Sequence, residues 1–348
     1  MIRHLAVAAL LAAAVAAPAA PAEAGYAPVP YDPLPTSYEQ LPLGPATSLA
    51  WWQAGTLHTG GTTLRTTLHE LAARAGTTVI GSGWSYPGRR STADLVRGTK
   101  LVRLPIAGHI RGPEISADGH WIAWLDERET RLAEDLDRVR YRLVLYDATT
   151  RHVVADHRET REVEHEDGIG GLWLVSVANT GQVLFTSDDG PRVLAPGRDP
   201  VKVKGHLPQL RDWDGWPLGI TAFRSRGGAD RGLFGTVSRR GRFHHVGTTT
   251  SGYGKWSAAG DGFAFDVQGV FKTTHWVDRP GAGTTVQLGL PADREQLSVV
   301  GWDGPGSVLF YDPYGETTQF LRCDAATGAC QRVEGGPVPG RRAVVPWS

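Results

Sequence analysis

Two indoles and two carboxylates crowd into one short stretch, Arg211-Asp212-Trp213-Asp214-Gly215-Trp216-Pro217. Aromatic faces beside carboxylates suit a sugar ring or a cationic group. They also suit an aromatic plug that closes a channel. A second cluster, residues 162–167 (Glu-Val-Glu-His-Glu-Asp), places Glu164 and His165 among further carboxylates. Hard cations take oxygen ligands, but a calcium loop needs them at set offsets with a bend-forming glycine. Here Gly168 comes after the cluster. The reading is therefore a solvated acidic loop, and no metal site is expected. His244 and His245 are adjacent, so on a strand they point to opposite faces and cannot form one ligand set.

Familiar catalytic signatures are missing from the sequence. There is no Gly-x-Ser-x-Gly elbow, no Gly-x-x-x-x-Gly-Lys-Ser/Thr loop and no His-Glu-x-x-His pair. Gly81-Ser-Gly-Trp84 is glycine-rich but precedes no helical pattern. A polysaccharide lyase or glycoside hydrolase needs two converging carboxylates or an acid–base pair. Asp212, Asp214, Glu164 and His165 are the donors available for that role.

Such residues need a frame, and the frame repeats. A Gly, an apolar run ending in a large side chain, and often an acidic turn recur with anchors at Ile80, Trp124, Phe185, Phe223, Phe265 and Phe310. A period near forty built of short strands is the signature of propeller blades. Around Phe310 the four strands read as residues 296–301, 307–311, 317–322 and 331–334, with Gly, Asp and Pro at the turns. The one long interval holds a charged insertion, residues 126–140, read as a short helix or an extended loop. Trp121, Trp124, Trp256 and Trp276 fall at strand positions and are expected between blades, with their indole nitrogens bonded. Two ends remain unpaired, residues 48–68 and 342–347. Pairing them would give an all-β propeller of seven blades with a composite closing blade; six blades plus an N-terminal hairpin is the alternative.

Ile115-Ser-Ala-Asp-Gly-His-Trp-Ile-Ala-Trp124 resembles the Ser-Pro-Asp-Gly-x-x-Ile-Ala-Phe unit of TolB-like, WD-repeat-like propellers of the exported bacterial type, with Ala117 in place of Pro. Residues 143–154 resemble that family's outer strands, joined by an Asp-x-x-Thr-Gly turn. There Thr150 is read in place of the Gly, while Asp324-Ala-Ala-Thr-Gly328 keeps the motif intact. The resemblance implies a propeller that acts as a binding platform.

The chain ends and composition set the remaining bounds. Arg3 and His4, the apolar residues 5–17 and Ala22-Glu23-Ala24 read as a secretory signal over residues 1–24, with Gly25 as the mature start. A run of this length is too short to span a bilayer, and no later run is long enough, so no stable membrane insertion is expected. Residues 25–46 form a Pro-rich linker or surface strap, and residues 47–348 form the propeller. The 36 basic and 36 acidic side chains balance, so no nucleic-acid partner is expected. Cys323 and Cys330 flank a turn, face each other across a hairpin and are expected to form a disulfide in an oxidising compartment. The functional expectation is a secreted, monomeric, non-catalytic binding propeller without cofactor. Its ligand would be a protein or carbohydrate held by Asp212, Trp213, Asp214, Trp216, Glu164 and His165. The alternatives are a polysaccharide-acting enzyme and a structural cell-surface protein.

Overall fold

The computed structural model describes residues 27–30, 34–35, 37–82, 91–132, 136–164, 171–187, 189–204, 220–226, 229–251, 254–268, 273–291, 297–312, 319–338 and 343–346. Among them there is no α-helix, only short strands and two 3-10 turns. The fold is a β-propeller.

Two strands precede the ring, β1 (Ala27–Val29) and β2 (Leu43–Gly44). A three-stranded meander follows: β3 (Trp51–Gln53), β4 (Thr56–Thr59) and β5 (Thr62–Arg65). The first blade is β6 (Glu70–Arg74), β7 (Thr77–Ser82), β8 (Thr92–Arg97) and β9 (Lys100–Arg103). The second is β10 (His109–Ile115), β11 (Trp121–Arg131), β12 (Leu136–Asp147) and β13 (His152–Glu164). The third is β14 (Trp173–Val177), β15 (Val183–Thr186), β16 (Arg192–Leu194) and β17 (Val201–Lys202). Among the described residues the fourth comprises β18 (Ile220–Arg226), β19 (Ala229–Val237) and β20 (Phe243–Thr249). The fifth is β21 (Lys255–Trp256), β22 (Phe263–Gln268), β23 (Thr273–Arg279) and β24 (Thr284–Gln287). The sixth is β25 (Ser298–Trp302), β26 (Ser307–Tyr311), β27 (Phe320–Asp324) and β28 (Cys330–Val333).

Six repeats therefore form six blades, as in the six-bladed alternative. The meander β3–β5 is a seventh small sheet in the seam between the last blade and the first. Trp51 packs against Leu309, Tyr311 and Phe320 of the sixth blade. Leu57 and Ala50 pack against Leu71 and Ile80 of the first. Among the described residues 343–346, the C-terminal segment adds one antiparallel bridge, Trp52 to Val344.

The repeated turn between the first two strands of a blade has a visible cause. Ser116 Oγ donates to Asp118 Oδ1 at 2.6 Å and accepts from the Trp121 N–H at 2.9 Å. Gly119 takes the left-handed conformation at φ +73° that closes the turn. Ser257 and Asp261 repeat the arrangement in the fifth blade. The anchors Trp124, Phe185, Phe265 and Phe310 sit on second strands and are 0–1% exposed. Phe223 lies on β18, and the buried aromatic on the paired strand β19 is Phe234.

Several readings need correction. Of residues 126–140, the stretches 126–131 and 136–140 extend β11 and β12, where Glu127, Val139 and Tyr141 alternate along the paired strands. The acidic cluster is no loop at its start, since Glu162 and Glu164 end strand β13. In the second blade's outer turn, Arg151, not Thr150, holds the glycine position. It adopts φ +62°, as Gly328 adopts φ +75° in the sixth blade. Asp147 and Asp324 each accept two backbone N–H groups within these turns, and in the second blade these bonds hold the bend without glycine.

The Pro-rich N-terminal segment contains two straps. Strand β1 adds in parallel to β24, and β2 adds in parallel to β28, so both outer edges are covered. Tyr38 and Leu41 between them are buried in the core shared by the fifth and sixth blades. Cys323 and Cys330 pair directly across β27 and β28 and form the disulfide.

Candidate functional site

The inner strands of the blades run toward one end of the ring, where their last residues converge. Arg74 ends β6, Ala117 follows β10, Trp256 ends β21, and Gly301 and Trp302 end β25. Together with Leu49 and Pro346 they line a pocket of about 60 Å³. Trp256 is buried at 2% exposure and packs against Phe234 and Phe263. Trp302 is fixed by its indole N–H, which donates to the Lys255 carbonyl of the neighbouring blade at 2.9 Å. The remaining lining is alanine and valine. One guanidinium, two indoles and methyl-sized side chains can bind a group. They cannot move a proton at neutral pH, because arginine stays charged and indole is a donor only.

A polar cluster lies at the opposite ends of the inner strands of the first two blades. Ser91 Oγ and His109 Nδ1 are hydrogen-bonded at 2.7 Å. Glu70 Oε2 accepts from the Gly112 N–H at 3.2 Å, reaching from β6 to the bulge in β10. Arg111 pairs with the buried Glu127 at 3.3 Å. Asp126 Oδ2 accepts from the Ala107 N–H at 2.7 Å. Burial pushes the Glu70 carboxyl up to about 7, against weaker opposing effects of Gly112 and Arg111. Burial also raises Asp126 and lowers His109, with His69 and Arg111 adding to the latter. Four titratable groups with displaced protonation equilibria in one place mark a chemically distinct region. Ser91 is 3% exposed, so its hydroxyl orients the imidazole.

The residues singled out from the sequence are placed only in part. Asp212, Trp213, Asp214, Trp216 and His165 lie outside the described residues. Glu164 is the last residue of β13. Glu162 is exposed and pairs with Arg138 at 3.3 Å. No group of three metal-capable side chains occurs among the described residues. His244 and His245 are successive exposed positions of β20. Trp121 donates to the Asn179 carbonyl at 3.0 Å, Trp276 donates to Thr274 Oγ1 at 2.9 Å, and the buried indole N–H of Trp124 has no partner among the described residues. The pocket and the polar cluster were both missed. Arg74, Trp256 and Trp302 are about 180 and 50 positions apart along the chain, and only ring closure brings them together.

No family model matches the chain. No curated protein matches it either. Solved structures do. TolB from Acinetobacter baumannii is similar at 14% identity with a TM-score of 0.40, over 85% of this chain and 66% of that one. A eukaryotic initiation factor is similar at 10% identity and a TM-score of 0.40, over 84% of this chain and 87% of that one. A functionally unknown protein from Desulfotomaculum acetoxidans DSM 771 is similar at 10% identity and a TM-score of 0.40, over 86% of this chain and 99% of that one. The chain thus spans just under two thirds of the TolB structure. Likenesses at such identity concern the fold alone and carry no argument about activity.

Proposed function

We propose that this chain is an exported, non-catalytic binding propeller that holds a segment of a protein ligand at the pocket formed by the converging inner strands. The observation that carries the reading is the lining itself: Trp256, Trp302 and Arg74 around small side chains, a set suited to holding a group and not to acid–base chemistry. The export half of the reading rests on the sequence of residues 1–24. It requires mature protein beginning at Gly25, which mass spectrometry of material from outside the cell checks; an intact Met1 there overturns it.

Binding is tested by tryptophan fluorescence with panels of peptides and oligosaccharides, run in parallel with an assay for product. A saturable response to peptides that weakens about tenfold in Trp302→Ala supports the reading, since buried aromatic anchors carry much of an interface's energy. The second reading, a polysaccharide-acting enzyme, is favoured by Glu70 with its carboxyl near 7 at the other end of the inner strands. Turnover of an oligosaccharide that disappears in Glu70→Gln overturns the binding reading in its favour.

A further inference from the structure

The inner strands run toward the pocket, and an antiparallel meander returns its turn between third and fourth strands to that same end. In the third blade this is the turn between β16 and β17, which carries Arg198. Lys204, just past β17, bridges Arg242 in parallel, so β20 starts from the pocket end as β17 does. The Lys204 N–H donates to the Gly241 carbonyl at 2.7 Å, and the Phe243 N–H donates to the Lys204 carbonyl at 3.2 Å. The turn 238–241 of the fourth blade is thereby pressed against the end of the third. A Cβ on Gly241 would fall 2.2 Å from the Lys202 carbonyl oxygen.

This junction is densely basic. Arg198, Lys202, Lys204, Arg239, Arg240 and Arg242 are all exposed. Val203 and Phe243 turn into one cluster with Val175 and Leu184, so Lys204 and Arg242 stand side by side on the outer face. None of the six side chains makes a hydrogen bond or ion pair among the described residues. Against these six cations, residues 198–204 and 238–242 hold one acid, the exposed Asp199. Lys202 also acts on Asp189, but that carboxylate is bound by Arg161 at 2.6 Å and by Arg192 at 3.3 Å. The whole chain balances 36 basic against 36 acidic side chains, so the excess is local.

Like charges held together at a surface oppose folding, and an external anion relieves them. The shape of the site decides which anion. The cations stand on turn tips and strand ends of two neighbouring blades, at one end of the ring. Such a set meets a plane, whereas a small anion needs converging donors and a polymer strand needs a groove. A protein partner would bring an apolar centre to its interface. Here the described residues of both stretches expose no large apolar side chain. Val246, the exposed apolar position of β20, lies on the order of 13 Å along the strand from Arg242. We propose that this end of the third and fourth blades docks on the surface of an anionic phospholipid bilayer, held by charge and without insertion. Docking there turns the pocket, at the same end of the ring, toward the lipid. The patch and the pocket share no residue, so this proposal and the proposed function fail separately.

The test sediments the full mature chain with vesicles of phosphatidylcholine alone and with vesicles in which half the lipid is phosphatidylglycerol. Binding to the anionic vesicles alone, lost as sodium chloride rises from about 20 mM to about 500 mM, supports the proposal. Each cation near an anionic surface contributes about fivefold in affinity, so Arg239→Ser with Arg240→Ser should weaken binding roughly 25-fold. Lys202→Gln with Lys204→Gln, a second pair on the other blade, should weaken it to the same degree. Arg140→Ser with Arg158→Ser makes the same change in net charge. It removes two exposed arginines of the second blade, about 20 Å along the strands from that end, and should bind as wild type does. Equal weakening by all three pairs, equal binding to both kinds of vesicle, or no binding overturns the proposal. Tighter binding to soluble polygalacturonate than to vesicles also overturns it and makes the patch a polymer site.

Discussion

At Glu70 the penalty of burying a charge outweighs one backbone hydrogen bond and one guanidinium. Its carboxyl rises from 4.5 to about 7 in the folded protein, chiefly by desolvation. A group raised on folding contributes stability that is complete below the unfolded value and is lost as pH rises through the folded one. The decline should span about pH 4.5 to 7 and amount to roughly 3 kcal/mol, at 1.36 kcal/mol per unit of displacement. His69 and His109 are lowered by burial, so their contribution runs the other way and is lost as pH falls below the ordinary histidine range. Both remain in Glu70→Gln. The difference between wild type and variant in urea unfolding across this range therefore isolates Glu70, and it should vanish below pH 4.5. None of this was legible in the sequence. His69, Ser91 and His109 sit in separate strand-edge positions with no shared motif, and it is blade-on-blade packing that desolvates them. Trp213 and Trp216 lie outside the described residues; among the described residues the indoles that line the pocket are Trp256 and Trp302, brought together from two blades.

Strands and turns were far more legible than the site, because their causes are local. The glycine-to-aromatic repeat marks second strands wherever one strand per blade carries it, as at Trp124, Phe265 and Phe310. The charged insertion is less legible. Its alternation is between buried and exposed charges, which a hydrophobicity pattern does not register. The cysteine pair was legible because a short turn leaves little freedom for two facing residues. Cys323 and Cys330 now prove to be buried in the core that also holds Tyr38 and Leu41 of the N-terminal strap. Removing the link by Cys330→Ser should cost about 2.5 kcal/mol in the chain-entropy view of so short a loop. Thermal unfolding should therefore shift downward while remaining cooperative, since β27 and β28 keep their backbone pairing. A collapse of folding would mean that the disulfide holds the strap as well as the hairpin.

The whole ring depends on how its seam is closed. Each of the six blades is built from consecutive strands, but the meander β3–β5 has to join the first blade to the sixth. Hydrophobic contact does most of this, through Leu57 and Ala50 on one side and Trp51 on the other. The N-terminal side is further tied by Asp303, which accepts from the Ser48 N–H at 3.0 Å and binds Arg322. Arg322 also donates to the carbonyls of Pro45 and Ala46. The C-terminal segment adds a smaller but specific set of bonds. Trp52 and Val344 exchange two backbone hydrogen bonds at 2.9 and 2.8 Å. The Ala343 N–H donates to the Tyr311 hydroxyl at 2.8 Å, and Ala343 is 3% exposed. Val344 packs toward the first blade and Val345 toward the sixth, so two successive residues bridge the seam. Deleting residues 342–348 removes these bonds and leaves the Trp52 amide and carbonyl without their partners. It also uncovers apolar surface on both neighbours. The combined loss should be about 3–5 kcal/mol. Differential scanning calorimetry of the truncated and full mature chains measures it directly. An unchanged melting temperature would mean that β3–β5 closes the ring unaided. A marked fall, reproduced in part by Val344→Pro, which removes one donor and leaves the rest of the segment in place, assigns the closure to this one bridge.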